Sequence, residues 1–152
     1  MKKQEEILFQ KRLARHHDEL RWLYMELYNN GAMFAELLDN LYRFSEERSA
    51  ALKKRDLERE GNPEWYKSNG LVGMMLYIDN FAGNLKGVRQ KLSYIEKTGV
   101  NMLHLMPFLD TVPERSDGGY AVADFRTVRA DLGSMEDLEK LANACHKKGI
   151  NL

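Results

Sequence analysis

Leu71-Val72-Gly73-Met74-Met75-Leu76-Tyr77-Ile78 is a continuous apolar run, as expected of a strand buried on both faces. Downstream, Leu85, Val88, Leu92 and Ile95 step by 3, 4 and 3, which is one stripe of a helix, and Gly99 stops it. Asn101–Met106 then reads as a second buried strand closed by Pro107. Ser134-Met135-Glu136-Asp137 resembles a capping box. Leu138, Leu141, Ala142 and Cys145 form the stripe of the helix that follows, and Gly149 ends it. Ile150-Asn151-Leu152 opens a third apolar run. Strand, helix, strand, helix, strand start is a repeating βα unit, which predicts parallel pairing with crossover connections.

Upstream the pattern is different. Residues 1–60 contain no Pro and a single Gly, Gly31, and they read as helical. Leu13, Leu20, Leu23, Tyr24 and Leu27 make one stripe, and Phe34, Leu37, Leu38, Leu41, Tyr42 and Phe44 a second. Asn29-Asn30-Gly31 between them is a helix break, because these residues tolerate left-handed backbone. Glu46–Glu60 is mostly charged and is expected to be a solvated helix or a linker. Gly61-Asn62-Pro63 ends the helical part. The expected organisation is a helical domain over 1–65 and an α/β domain over 66–152.

Composition excludes several classes. The 152 residues carry 23 basic and 23 acidic side chains, divided 12 and 13 over residues 1–65 and 11 and 10 over the rest. Neither part has the positive surplus that nucleic-acid binding requires. The sequence holds no apolar run near the ~18 residues of a membrane span and no signal-peptide pattern at the start. One cysteine excludes an internal disulfide, and four scattered His show no zinc spacing. These features predict a reducing, cytoplasmic setting, without metal or cofactor.

Chemistry is expected in the long loop from Pro107 to about Gly133, because α/β folds place function after the carboxyl ends of strands. It contains Ser116-Asp117-Gly118-Gly119-Tyr120-Ala121-Val122, then Asp124-Phe125-Arg126. Adjacent glycines let the chain turn sharply between a carboxylate and an aromatic ring. Sugar sites use this pair of groups, and an ordinary turn with a solvated Asp and a packed Tyr would read the same. His104 reads as a core histidine on a buried strand. His16 and His17 read as solvated, and His146 as exposed beside Lys147 and Lys148. Cys145 and Met74, Met75, Met102 and Met106 read as core. Gly83-Asn84-Leu85-Lys86-Gly87 lacks the Gly-Lys-Ser/Thr ending of a phosphate loop, so a tight βα turn is expected.

Four pieces in order resemble a known family: Val72–Ile78, Asp79-Asn80-Phe81-Ala82-Gly83-Asn84-Leu85-Lys86-Gly87, Leu103-His104-Leu105-Met106-Pro107, and Ser116-Asp117-Gly118-Gly119-Tyr120. Together they resemble the opening of the catalytic barrel of the α-amylase family of glycoside hydrolases, and are most similar to amylosucrases. The helical stretch ending in Asn62-Pro63-Glu64-Trp65 and Ser68-Asn69 resembles the amylosucrase N-terminal helical domain. The implied fold class is α/β: an N-terminal helical domain followed by the first two βα units of a TIM (β/α)8 barrel, cut at strand three. The 152 residues fall well short of the about 250 of a closed barrel.

The resemblance implies a retaining enzyme that passes a glucosyl unit from sucrose to an α-glucan or to water. Such chemistry uses a carboxylate nucleophile and an acid/base about 5–5.5 Å apart. In the family both follow later strands, as does an Asp-x-x-x-Asn-His motif after strand three. None of Asp79, Asp110, Glu114, Asp117 or Asp124 is therefore expected to be catalytic. Asp117 matches the family's pocket-floor Asp, which in amylosucrases pairs with a distant Arg and bonds the donor glucose. Tyr120 matches the aromatic that stacks on that ring. The expected partners are sucrose or α-glucan, and the chain alone is expected to be inactive. The rival reading is a non-enzymatic helical interaction module with a vestigial βα tail.

Overall fold

The computed structural model describes residues 2–112 and 114–152. Its contacts divide the chain into two compact units, Met1–Pro63 and Glu64–Leu152.

The first unit is three helices: α1 (Lys2–Tyr28), α2 (Gly31–Glu47) and α3 (Ala50–Gly61). The predicted break lies where Asn29 takes a left-handed φ of 45°. Asn30 then caps α2, its side chain accepting from the Met33 amide at 3.0 Å. Ser49 caps α3 through the Leu52 amide, so the charged stretch is a helix and not a linker. Tyr24 and His17 of α1 meet Phe34 of α2 with ring centroids 5.4 and 5.8 Å apart, and Phe9 meets Tyr42 edge-on at 5.3 Å. Among the described residues of this unit, Phe34 is buried. Ion pairs supplement it: Arg12 to Glu60, Lys53 to Glu5 at 2.9 Å, and Arg48 to both oxygens of Asp56 at 2.5 and 2.8 Å.

The second unit opens with a 3-10 turn (Trp65–Lys67) and is built on a parallel pair, β1 (Gly73–Leu76) and β2 (Met102–Leu105). Gly73 stands opposite Met102, and Leu76 opposite Leu105. Asn151 bridges the free edge of β2 in parallel: its carbonyl accepts the Leu103 amide at 2.7 Å, and its amide donates to Asn101 at 2.8 Å. The third apolar run therefore adds on as expected. Between β1 and β2 lie α4 (Ile78–Ala82), α5 (Leu85–Gln90) and α6 (Leu92–Lys97). The last two are nearly one helix, because the Lys91 amide still reaches Gly87 and the Ile95 amide reaches Lys91. Leu85, Val88, Leu92 and Ile95 are all at most 2% exposed. After β2 come β3 (Leu109–Thr111), β4 (Val122–Val128) and α7 (Met135–Lys147). Ser134 and Asp137 make a reciprocal capping box at the start of α7. Leu141, Cys145 and Ile150 join the core with Leu76, Leu103 and Leu105.

Five expectations are corrected. Strand β1 is four residues long, because Tyr77 caps a helical turn that buries Ile78, at 2% exposure, without extending the strand. Burial is one-sided: Met75 is 67% and Met102 39% exposed, so neither is a core residue among those described. His104 is exposed for the same reason, since strand alternation gives the core to Leu103 and Leu105. The segment from Pro107 to Gly133 is not a plain loop: β3 and β4 pair antiparallel within it, with two register shifts. Pro113, inside that segment, lies outside the described residues. His146 is partly buried rather than exposed.

Two predictions follow from these contacts. A Cβ at Gly87 would stand 2.0 Å from the Ala82 carbonyl oxygen, so α5 passes α4 where only glycine fits. Gly87→Ala is expected to cost about 1–3 kcal/mol by overpacking, read as a lower urea midpoint in near-ultraviolet circular dichroism. The hydrogen bond from Arg48 holds the Asp56 carboxyl below its ordinary range, against the opposing effect of burial. A lowered native pKa stabilises above the unfolded value near about 4 and is lost as pH falls through the native value. The pair is partly exposed, so its contribution is about 0–1 kcal/mol. In Asp56→Asn the drop in helical melting midpoint between neutral and strongly acidic pH should shrink; an unchanged drop would contradict this.

Candidate functional site

The carboxyl ends of β1 and β2 face a cavity of about 730 Å³. Tyr77, Ile78 and Asp79 bring the end of β1 to it, and Pro107 the end of β2. Asp110, Thr111, Ser116, Gly118 and Gly119 close one side, and Arg129 to Leu132 the other. A smaller cavity of about 280 Å³ in the helical unit is lined by Glu5, Glu6, Glu46 and Glu47 with Phe9 and Tyr42. Its lining carries four carboxylates and no basic side chain.

The Asp-Gly-Gly-Tyr piece is a tight turn. Gly118 and Gly119 take φ of 61° and 89°, which side chains rarely adopt. The Tyr120 amide donates to the Asp117 carbonyl at 3.2 Å, and the Ala121 amide to the Ser116 hydroxyl at 3.1 Å. A Cβ at Gly119 would lie 2.9 Å from that of Pro107, so the turn is folded directly onto the end of β2. Gly118 and Gly119 thus line the cavity. Asp117 is exposed and Tyr120 is 66% exposed, and neither is part of the cavity lining. Of the carboxylates set aside as non-catalytic, Asp79 and Asp110 are in the wall. Asp124 is tied locally, accepting from the Thr127 hydroxyl at 2.6 Å and the Arg126 amide at 2.8 Å; these bonds hold its carboxyl below the ordinary range.

Arg129, the guanidinium among the described residues of this wall, was not singled out in the sequence. Arg129 donates to both oxygens of Asp131, at 2.7 and 3.0 Å, and to Asp79 at 3.4 Å. The hydrogen bond raises Arg129 and lowers Asp131 from their ordinary values. The Arg-x-Asp spacing was visible, but its partner Asp79 is 50 positions away. Gly83-Asn84-Leu85-Lys86-Gly87 forms the expected tight turn: Gly83 takes a φ of 79°, and Asn84 caps α5 by accepting from the Gly87 amide at 2.9 Å. Cys145 is fully buried and burial pushes its thiol up to about 11, which is a packing residue's environment. Among the described residues no cluster of three His, Cys, Asp or Glu could hold a metal ion, and no helix is long and apolar enough to cross a membrane.

A parallel pair with helices packed on one face and a cavity at its strand ends is the arrangement of α/β barrel enzymes. The catalytic-domain profile of the family described as "Alpha amylase, catalytic domain" matches residues 38–152. The chain belongs to the α-amylase family. Its first matched residue, Leu38, lies inside α2, so the match takes in part of the helical unit.

Among similar proteins, the trehalose synthase/amylase TreS of Mycolicibacterium smegmatis is 43% identical over 70 residues, covering 46% of this chain and 12% of that protein. An oligo-1,6-glucosidase of a Bacillus species is 34% identical over 88 residues, covering 58% and 15%. An amylopullulanase of Thermoanaerobacterium thermosulfurigenes is 32% identical over 91 residues, covering 60% and 5%. The crystal structure of a trehalose-6-phosphate hydrolase from Bacillus licheniformis aligns with a TM-score of 0.48 at 27% identity, over 57% of this chain and 16% of that one. The chain thus spans a small part of the length of the relatives it matches. Their names point to the family as a whole and not to amylosucrases in particular.

Proposed function

We propose that the protein carrying this chain is a retaining enzyme of the amylosucrase type, which passes a glucosyl unit from sucrose to an α-glucan or to water. The observation that carries the reading is the Asp117–Tyr120 turn, folded onto Pro107 at the end of β2 beside the strand-end cavity. Asp117 would bond the donor hydroxyls, and Tyr120, its ring largely free, would stack on the glucose face. An exposed carboxylate and an exposed ring on either side of a glycine pair are available to a sugar in a way that a packed turn is not.

The two reacting carboxylates would come from later strands of the family barrel, so this chain by itself should not turn over sucrose. On this reading residues 1–65 form the helical domain that precedes the barrel in amylosucrases, and Met75, Met102 and His104 face the barrel interior. The lone buried thiol suits a reducing, cytoplasmic setting.

The test is sucrose turnover by variants of a protein that joins this chain to the rest of the family barrel. Asp117→Ala should lower kcat/KM roughly 10²–10³-fold, because it removes a hydroxyl acceptor and strands the paired Arg. Tyr120→Ala should also cut turnover strongly, and Tyr120→Phe much less, since the ring face is invoked rather than the hydroxyl. Asp110→Ala and Glu114→Ala should do little. If either matched Asp117→Ala, or if Tyr120→Phe matched Tyr120→Ala, these two roles would be wrong.

A further inference from the structure

We propose that Arg129 is a positioning residue: its guanidinium, shared between Asp131 and Asp79, holds together α4 and the segment leaving β4, and so fixes the wall of the strand-end cavity beside the Asp117–Tyr120 turn. This rests on the reading of the Asp117–Tyr120 turn as a glucoside site.

The backbone of Arg129 is anchored independently of its side chain. Its amide donates to Phe108 at 2.9 Å, and its carbonyl accepts from Leu132 at 2.9 Å. The Leu132 carbonyl in turn accepts from Leu85, at the start of α5. Asp79 is anchored too, its carboxylate accepting the Asn80 amide at 2.9 Å and its carbonyl the Gly83 amide at 2.9 Å. The side-chain bonds from Arg129 to Asp131 and Asp79 therefore join two segments that are each already placed. What they add is the distance between the segments across this wall of the cavity.

The energetics point the same way. The three side chains are 34%, 61% and 49% exposed, so the pairs contribute little to stability. The core beneath them, with Leu85 and Leu132 at 0% and 2% exposure, carries the fold. Without the guanidinium, the one group that both carboxylates bond is lost, and the two segments are no longer tied through it at this wall. A lysine restores one positive charge but lacks the planar fork that reaches Asp131 through two bonds and Asp79 through a third.

The experiment compares wild type, Arg129→Met and Arg129→Lys in a protein that joins this chain to the rest of the family barrel. Two readouts are used: amide hydrogen exchange over residues 78–83 and 129–132, and kinetics on a panel of sucrose, trehalose, maltose and isomaltose. Arg129→Met should speed exchange in both segments and raise KM about tenfold with kcat nearly unchanged. Its thermal midpoint should stay close to wild type. Arg129→Lys should recover part of both effects. Unchanged KM and exchange in Arg129→Met would overturn the proposal. So would a kcat that falls together with the melting midpoint at constant KM, since that is loss of folded enzyme. If wild type turns over none of the four sugars, the functional reading fails. The exchange result then decides this proposal by itself: faster exchange in both segments upholds the staple, and unchanged exchange removes it.

Discussion

Burial of one face of the β1–β2 pair beneath α5, α6 and α7 is the constraint on which the second unit depends. Leu76, Leu103 and Leu105 meet Leu85, Val88, Leu92, Ile95, Leu141 and Cys145 in one cluster. Each fully buried aliphatic side chain contributes about 1.5–3 kcal/mol relative to exposure. Two of them outweigh any ion pair on the surface, at about 0–1 kcal/mol. The cluster sets the parallel register, and the register sets where the two strands end. Tyr77 and Pro107 mark those ends, and the cavity lies there. The site follows from the packing and is not built separately.

The helical unit rests on other physics. Among its described residues Phe34 is buried, and Trp22, Leu27, Tyr28 and Phe44 are each 60% exposed or more. Aromatic contacts between α1 and α2, and the pairs Arg12–Glu60, Lys53–Glu5 and Arg48–Asp56, tie the three helices together. Exposed pairs of this kind are weak and sensitive to salt. Acid acts on this unit through its carboxylates: Asp56 and Glu60 both ionise more readily because of their Arg partners.

Much of the fold was legible because spacing along the chain reports directly on burial. The 3-4-3 steps of Leu85 to Ile95 became a buried stripe, and Asn29-Asn30-Gly31 became a break with its own cap. Position on a strand was less legible. An apolar run such as Leu71–Ile78 does not say where extension stops, nor which face is covered. Tyr77 starts a helical turn, and Met75 and His104 alternate outwards. The β3–β4 hairpin was hidden because Leu109-Asp110-Thr111 is short and its register with Val122–Val128 is irregular. The Asp117–Tyr120 turn could be found as a contiguous motif. The Arg129 contact with Asp79 could not, because it depends on two chain segments meeting in space.

In the proposed function, the turn at the end of β2 presents a carboxylate and a ring to a glucosyl unit. The direct measurement is a crystal structure of a protein that joins this chain to the rest of the family barrel, soaked with an unreactive glucoside. The expected result is a sugar ring lying on Tyr120, with a hydroxyl within hydrogen-bond distance of the Asp117 carboxylate. A ring seated in the strand-end cavity instead, with Tyr120 still open to solvent and Asp117 bound only to water, would contradict it.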